Sequence, residues 1–133
     1  MLLRRICGMA TDFEAAFGTL KSVLAKHAKR LTVRTDTAVA YGVNCRTPSP
    51  FPQHKGQPMW FAEVRLGKAY VSFHLMPLYM NPPLQNAIPA GLKRRMQGKT
   101  CFNFKKELEP ELLKELDKLT EAALADWDAK RWL

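Results

Sequence analysis

The sequence predicts an α+β domain whose strands are gathered between a helix near each end of the chain. Three observations carry that expectation. Apolar residues recur at the spacing of one helical face over 13–28 and again over 112–127. Two β-rich runs, 59–66 and 69–76, flank Gly67-Lys68, the pattern of a two-residue hairpin. The 133 residues, 47% hydrophobic and 25% charged, suit one core of ordinary composition. No apolar run approaches the ~20 residues of a membrane span.

The first helix is expected to start at Thr11 or Asp12, either of which can cap it, and to bury Phe13, Phe17, Leu20, Leu24 and Ala28. His27, beside that stripe, reads as a packed or edge histidine. Ahead of it, Arg4 and Arg5 break the apolar start after two leucines, so no secretory h-region forms. Residues 1–8 are expected to be a disordered leader or an over-long start, and 9–133 the domain. Cys7, Cys45 and Cys101 are odd in number and lack a secretion signal, which points to a reducing cytoplasm.

Leu31, Val33 and Thr35, then Val39, Tyr41 and Val43, alternate with polar residues as two short strands. Residues 48–58, with four prolines, suit neither a helix nor a central strand and predict a long loop. In the hairpin, a Gly67-Lys68 turn with Gly at positive φ pairs Leu66 with Ala69, Val64 with Val71, Ala62 with Phe73 and Trp60 with Leu75. Those eight side chains are expected to face the core. The other face then carries Phe61 opposite His74 and Arg65 opposite Tyr70, with Glu63 and Ser72 between them. Prolines break residues 77–89 into turns. A brief helix is expected from Pro89 to Gly98, then a strand Cys101–Phe104 with Phe102 and Phe104 on one face. The last helix begins at Pro110 and buries Leu112, Leu116, Leu119, Ala123 and Trp127, leaving Trp132 as a C-terminal anchor.

The run from Ala69 to Met80, AYVSFHLMPLYM, and the run from Leu92 to Phe104, LKRRMQGKTCFNF, resemble the YdhG-like family of small bacterial proteins. The likeness covers roughly residues 12–125. It implies an antiparallel sheet covered by the terminal helices, which we expect on one face. Some relatives carry a frataxin-like iron-chaperone label, and iron is the cofactor that label would imply. Frataxin-type binding uses an acidic ridge on the first helix; here that helix offers Asp12 and Glu14 against Lys21, Lys26, Lys29 and Arg30.

Phosphate-loop, dinucleotide-binding, serine-hydrolase and HExxH motifs are absent from the sequence, and no His or Cys falls at zinc-ligand spacing. No catalytic residue, cofactor or metal site is therefore expected. Cys101 between Lys99 and Lys105 reads as a small buried hydrophobe; a nucleophile there would also need a base, and His74 stands on a neighbouring strand. The leading expectation is a non-enzymatic binding domain for a small molecule or protein partner, using Phe61, Arg65, Tyr70 and His74, bordered by Tyr79. Rings and a guanidinium on one strand face can stack on a planar ligand and bind its acidic edge.

Two alternatives follow from charge. Glu107, Glu111 and Glu115 recur every four residues, a carboxylate strip able to hold iron if the helix is continuous. The net charge is +9, and residues 1–106 hold 17 basic and 4 acidic side chains, net +13, against 4 and 8, net −4, in 107–133. The densest basic run, Lys93, Arg94, Arg95, Lys99, Lys105 and Lys106, is interleaved with Phe102 and Phe104, which suits an anion or a nucleic acid. Charge serves solubility as readily.

Overall fold

The computed structural model describes residues 8–133, with side chains from Asp12 onward. The expected leader therefore lies outside the described residues except for Gly8. Helix α1 runs Gly8–Lys26, so Thr11 and Asp12 sit inside it and do not cap it. The chain continues through β1 (Thr32–Asp36), β2 (Ala40–Pro48), β3 (Pro58–Leu66) and β4 (Val71–Leu75). Short helices α2 (Pro82–Asn86) and α3 (Ala90–Lys93) precede β5 (Met96–Gln97), β6 (Cys101–Phe104) and α4 (Pro110–Ala129).

The six strands form one antiparallel sheet in the order β1-β2-β3-β4-β6-β5, and α1 and α4 pack against one face of it. The expected helix stripes do the covering. Leu20 and Leu24 of α1 and Leu116, Ala123 and Trp127 of α4 are buried against Val43, Val64, Phe73 and Phe102 of the sheet. A polar clamp ties the two helices together at their edge. Asp117 of α4 takes Lys26 Nζ at 2.8 Å and His27 Nε2 at 2.6 Å. Partial burial opposes its charge, but the hydrogen bonds from Lys26 and His27 prevail and hold the carboxyl below the usual aspartate range.

Three local expectations need correction. The β3–β4 connection is a four-residue loop, not a two-residue turn, and the register is Leu66 with Val71, Arg65 with Ser72, Val64 with Phe73, Glu63 with His74 and Ala62 with Leu75. Gly67 does not adopt positive φ. Its role is steric, because a Cβ there would stand 2.8 Å from the Tyr70 carbonyl oxygen, which accepts from the Gly67 amide at 3.0 Å. Secondly, α3 stops after a single turn, and the chain enters β5, with Gly98 at φ 78° in the tight β5–β6 turn instead of ending a helix.

The third correction changes what each face of the sheet carries. Val43 of β2 faces Ala62, but Asn44 faces Trp60, so Phe61 is an extra residue at a β-bulge. Phe61 and Ala62 both turn to the helices, and the alternation of β3 inverts below them. Phe61 is wholly buried, edge-on to the Trp127 indole at 5.7 Å, whereas Trp60, expected inside, is 54% exposed. The loop Ser49–Gln57 lies against the C-terminus, where Trp132 packs edge-on to Phe51 at 5.3 Å and Trp127 at 5.9 Å.

The bulge makes an unequal pair of predictions. Phe61→Ala should cost about 3–5 kcal/mol, the cost of an emptied aromatic core position. Trp60→Ala should cost about 1 kcal/mol, since it removes an exposed ring and one cation–π contact. Urea unfolding of the two variants checks this. Equal losses, or a larger loss for Trp60→Ala, would contradict the inverted alternation.

Candidate binding cleft on the open sheet face

The face away from the helices carries most of the polar side chains of the central strands. Its middle is an ion-pair network. Arg34 protrudes from β1 where the β1–β2 register slips between Val33 and Thr35, and its guanidinium carbon stands over the Trp60 ring, 4.0 Å from the centroid. Its Nε donates to Asn44 Oδ1 at 2.8 Å, and its Nη1 stands 3.7 Å from Glu63 Oε2. Gly42 leaves the room: a Cβ there would meet the Arg34 guanidinium at 2.5 Å. Arg65 approaches the same Glu63 oxygen at 3.5 Å from the other side, with its side chain 61% exposed. Two guanidiniums thus neutralise one buried carboxylate, and Arg65 keeps most of its donors free for solvent or a ligand.

Beside this network, the strand register sets a row of chemistry straight across the sheet. Glu63 of β3 pairs with His74 of β4, His74 pairs with Cys101 of β6, and Cys101 pairs with Gln97 of β5. All share the open face, so the side chains are neighbours. Cys101 Sγ lies 3.5 Å from His74 Nε2 and 3.3 Å from Asn103 Oδ1. Asn103 Nδ2 in turn donates to Gln97 Oε1 at 2.7 Å. Burial pushes the His74 imidazole below its ordinary value, with Glu63 opposing and Arg65 assisting that shift. Burial also pushes the Cys101 thiol up. Both groups are accordingly uncharged near neutral pH.

A cleft of about 620 Å³ opens over this row, lined by Arg65, Gly67, Lys68, Ala69, Tyr70, Ser72, His74, Gln97 and Cys101. Such a volume is in the range of small-molecule sites, ~300–1,000 Å³. Of the residues expected to form the binding face, the structure brings Arg65, Tyr70 and His74 together here. It removes two. Phe61 is core because of the bulge, and Tyr79 lies at a different hollow of about 510 Å³ with Phe51, Trp60, Met76, Met80 and Trp127. The expected pairing of Arg65 with Tyr70 is replaced by Arg65 with Ser72, and Phe61 does not face His74. Ser72, expected on this face, also lines the cleft, and Lys68 and Gln97, outside the expected face, join it. The loop lifts Lys68 over the cleft, and β5 is a two-residue strand with no sequence signal of its own.

The other expected constellations divide. Arg94, Arg95, Lys105 and Lys106 surround a hollow of about 890 Å³ between β5, β6 and the start of α4, where Glu107, Glu109, Glu111 and Glu115 share the lining. Lys99 sits apart, over the Tyr79 ring at 5.7 Å, and Lys93 is exposed on α3. Phe102 and Phe104 are buried, so they offer no stacking surface to a base. The carboxylate strip is broken. Glu107 precedes α4 and accepts from Thr19 Oγ1 at 3.1 Å, leaving only Glu111 and Glu115 on the helix. Among the described residues, no three His, Cys, Asp or Glu side chains gather as a metal site. Among them too, no helix is long and apolar enough to cross a membrane.

Comparison of the chain with protein-family models, curated proteins and solved structures returns no match.

The cleft electrostatics predict the direction of two shifts. Glu63→Gln should lower the His74 pKa further, because it removes the carboxylate that favours imidazolium. Arg65→Ala should raise it toward 6.5, because it removes an opposing cation. NMR titration of the His74 ring carbon resonances reads both. Shifts of the reverse sign, or none, would mean that His74 does not stand between these two charges.

Proposed function

We propose that this chain is a non-enzymatic binding domain of the YdhG-like kind, and that its ligand is a small planar anion held in the open-face cleft. The observation that supports this reading is the convergence of Arg65, Lys68, Tyr70 and His74 on one concavity of the uncovered sheet face. Both cations supply charge, and the Arg65 guanidinium adds bidentate donors to a carboxylate or phosphate. Tyr70, 38% exposed, offers a ring face to a planar group. Ser72, Gln97 and neutral His74 supply hydrogen bonds that fix orientation. The rigid antiparallel scaffold holds all of these except Lys68 and Tyr70, which belong to the four-residue loop and can adjust to the ligand.

An anion-binding role also suits the charge distribution. The body of the chain, residues 1–106, carries net +13 and would concentrate anions near the cleft. Iron handling has less support, since the broken carboxylate strip gathers no ligand set. Nucleic-acid binding would have to rest on Arg94, Arg95, Lys105 and Lys106 without aromatic stacking, beside four glutamates.

Benzoate is the simplest probe. Titrated into ¹⁵N-labelled protein, it should shift the amides of residues 67–74 and 97–101 together and saturably. Arg65→Ala should weaken binding by about tenfold, the worth of one charge-assisted hydrogen bond, ~1.4 kcal/mol. Neutral benzamide should bind more weakly than benzoate. Shifts confined to another surface, or none at millimolar benzoate, would contradict the assignment.

A further inference from the structure

We infer that Cys101 is a nucleophilic thiol served by His74 as its base, and that the open-face cleft is a site of covalent capture for an anionic carbon electrophile. The inference rests on the cleft being an anion site and adds to it a reaction at a named atom.

The pairing comes from topology. β4 and β6 are neighbours in the sheet although 27 residues separate His74 from Cys101. Their register makes the two side chains direct cross-strand partners on the open face, both partly buried and both lining the cleft. The Sγ–Nε2 separation of 3.5 Å is within reach of an S–H···N hydrogen bond. Nucleophile and base within hydrogen-bond reach, the base flanked by a carboxylate, is the arrangement that activates a weak nucleophile. Here that carboxylate is Glu63, the cross-strand partner of His74 on its other side. Asn103 Oδ1, 3.3 Å from the same sulfur, is a second acceptor that limits where Sγ can lie.

The step balances without a further reactant. As Sγ attacks the electrophilic carbon, its proton passes to His74 Nε2. The sulfur lone pair becomes the new C–S bond, and the displaced group leaves with the bonding pair of the broken bond. The imidazolium then returns its proton to solvent or to the leaving group. Glu63 stabilises the transient imidazolium, while Arg65 opposes it and offers its charge to the anionic end of the electrophile. Lys68 stands with Arg65 on the cleft wall, and Tyr70 completes the groups facing the pair. With the imidazole pushed down and the thiol pushed up, the resting pair is neutral thiol and neutral base, so proton transfer accompanies attack.

Cys45 supplies an internal control. It is 1% exposed, and burial pushes its thiol up to about 12. Cys7 lies outside the described residues and is replaced by serine for the experiment. Alkylation by iodoacetate and by iodoacetamide is followed by peptide mass spectrometry from about pH 5 to pH 9, a range spanning the ordinary His and Cys values. Cys101 should be modified, with Cys45 spared. The Cys101 rate should level off above the His74 pKa instead of rising tenfold per pH unit up to the thiol's own value. His74→Gln should remove that plateau and slow the reaction at pH 7 by at least about tenfold, the low end of general-base effects. Iodoacetate should gain on iodoacetamide relative to free cysteine, and Arg65→Ala should abolish the gain. A hydroxide-proportional rate across the whole range would overturn the inference, and so would an unchanged rate in His74→Gln. If benzoate still binds the cleft while Cys101 stays inert, the covalent step fails and the anion site stands. If benzoate does not bind there, the anion reading itself has failed.

Discussion

Phe61 and Ala62 both turn toward the helices because β3 carries one residue more than β2 at that point. Much else in the molecule depends on this bulge. It delivers an aromatic ring to Trp127 and so locks α4 onto the sheet. It also rotates Trp60 to the opposite face, where the indole becomes the plate on which Arg34 lies. With Arg34 held there, Glu63 is neutralised close to the sheet, and Arg65 is left free to face the cleft. A regular strand would put Trp60 in the core and strand the Glu63 carboxylate without its first partner.

The division of the sheet into a covered and an open face explains why polar chemistry survives in a domain of this size. One face supplies the apolar burial, with Leu20, Leu24, Leu116 and Trp127 wholly or almost wholly inaccessible. The other can therefore carry a carboxylate, an imidazole and a thiol in one cross-strand row. The imidazole and the thiol are buried enough to have shifted proton affinities and open enough to meet a ligand. The helices at the back hold the strands rigid, so the row keeps its register. The four-residue loop between β3 and β4 brings Lys68 and Tyr70 beside the row.

Both terminal helices were legible from apolar spacing, and the stripes at Leu20, Leu24, Leu112, Leu116 and Trp127 are the ones that pack. Periodicity over five turns averages out local irregularity. The hairpin was legible as a hairpin but not in register. A two-residue turn and the observed four-residue loop leave Val64, Val71 and Phe73 on the same face, so alternation cannot tell them apart. The bulge was invisible for a related reason. Trp60 and Phe61 are both large and aromatic, and either fits a core position until the β2 register is known. Arg65, Tyr70 and His74 could be grouped because they share one hairpin. His74 was legible as standing on a strand neighbouring Cys101, but the register that makes the two direct partners follows only from the sheet. Gly42 gave no motif at all; its role appears only when Arg34 is seen lying across it.

The bulge at Phe61 is tested most directly by aromatic proton contacts in solution. In a nuclear Overhauser spectrum of the native protein, the Phe61 ring should contact the Trp127 indole, and the Trp60 indole should contact the Arg34 side chain. Contacts from the Trp60 indole to Leu75 and the helix side chains, with Phe61 silent toward Trp127, would show an unbroken strand and contradict the account.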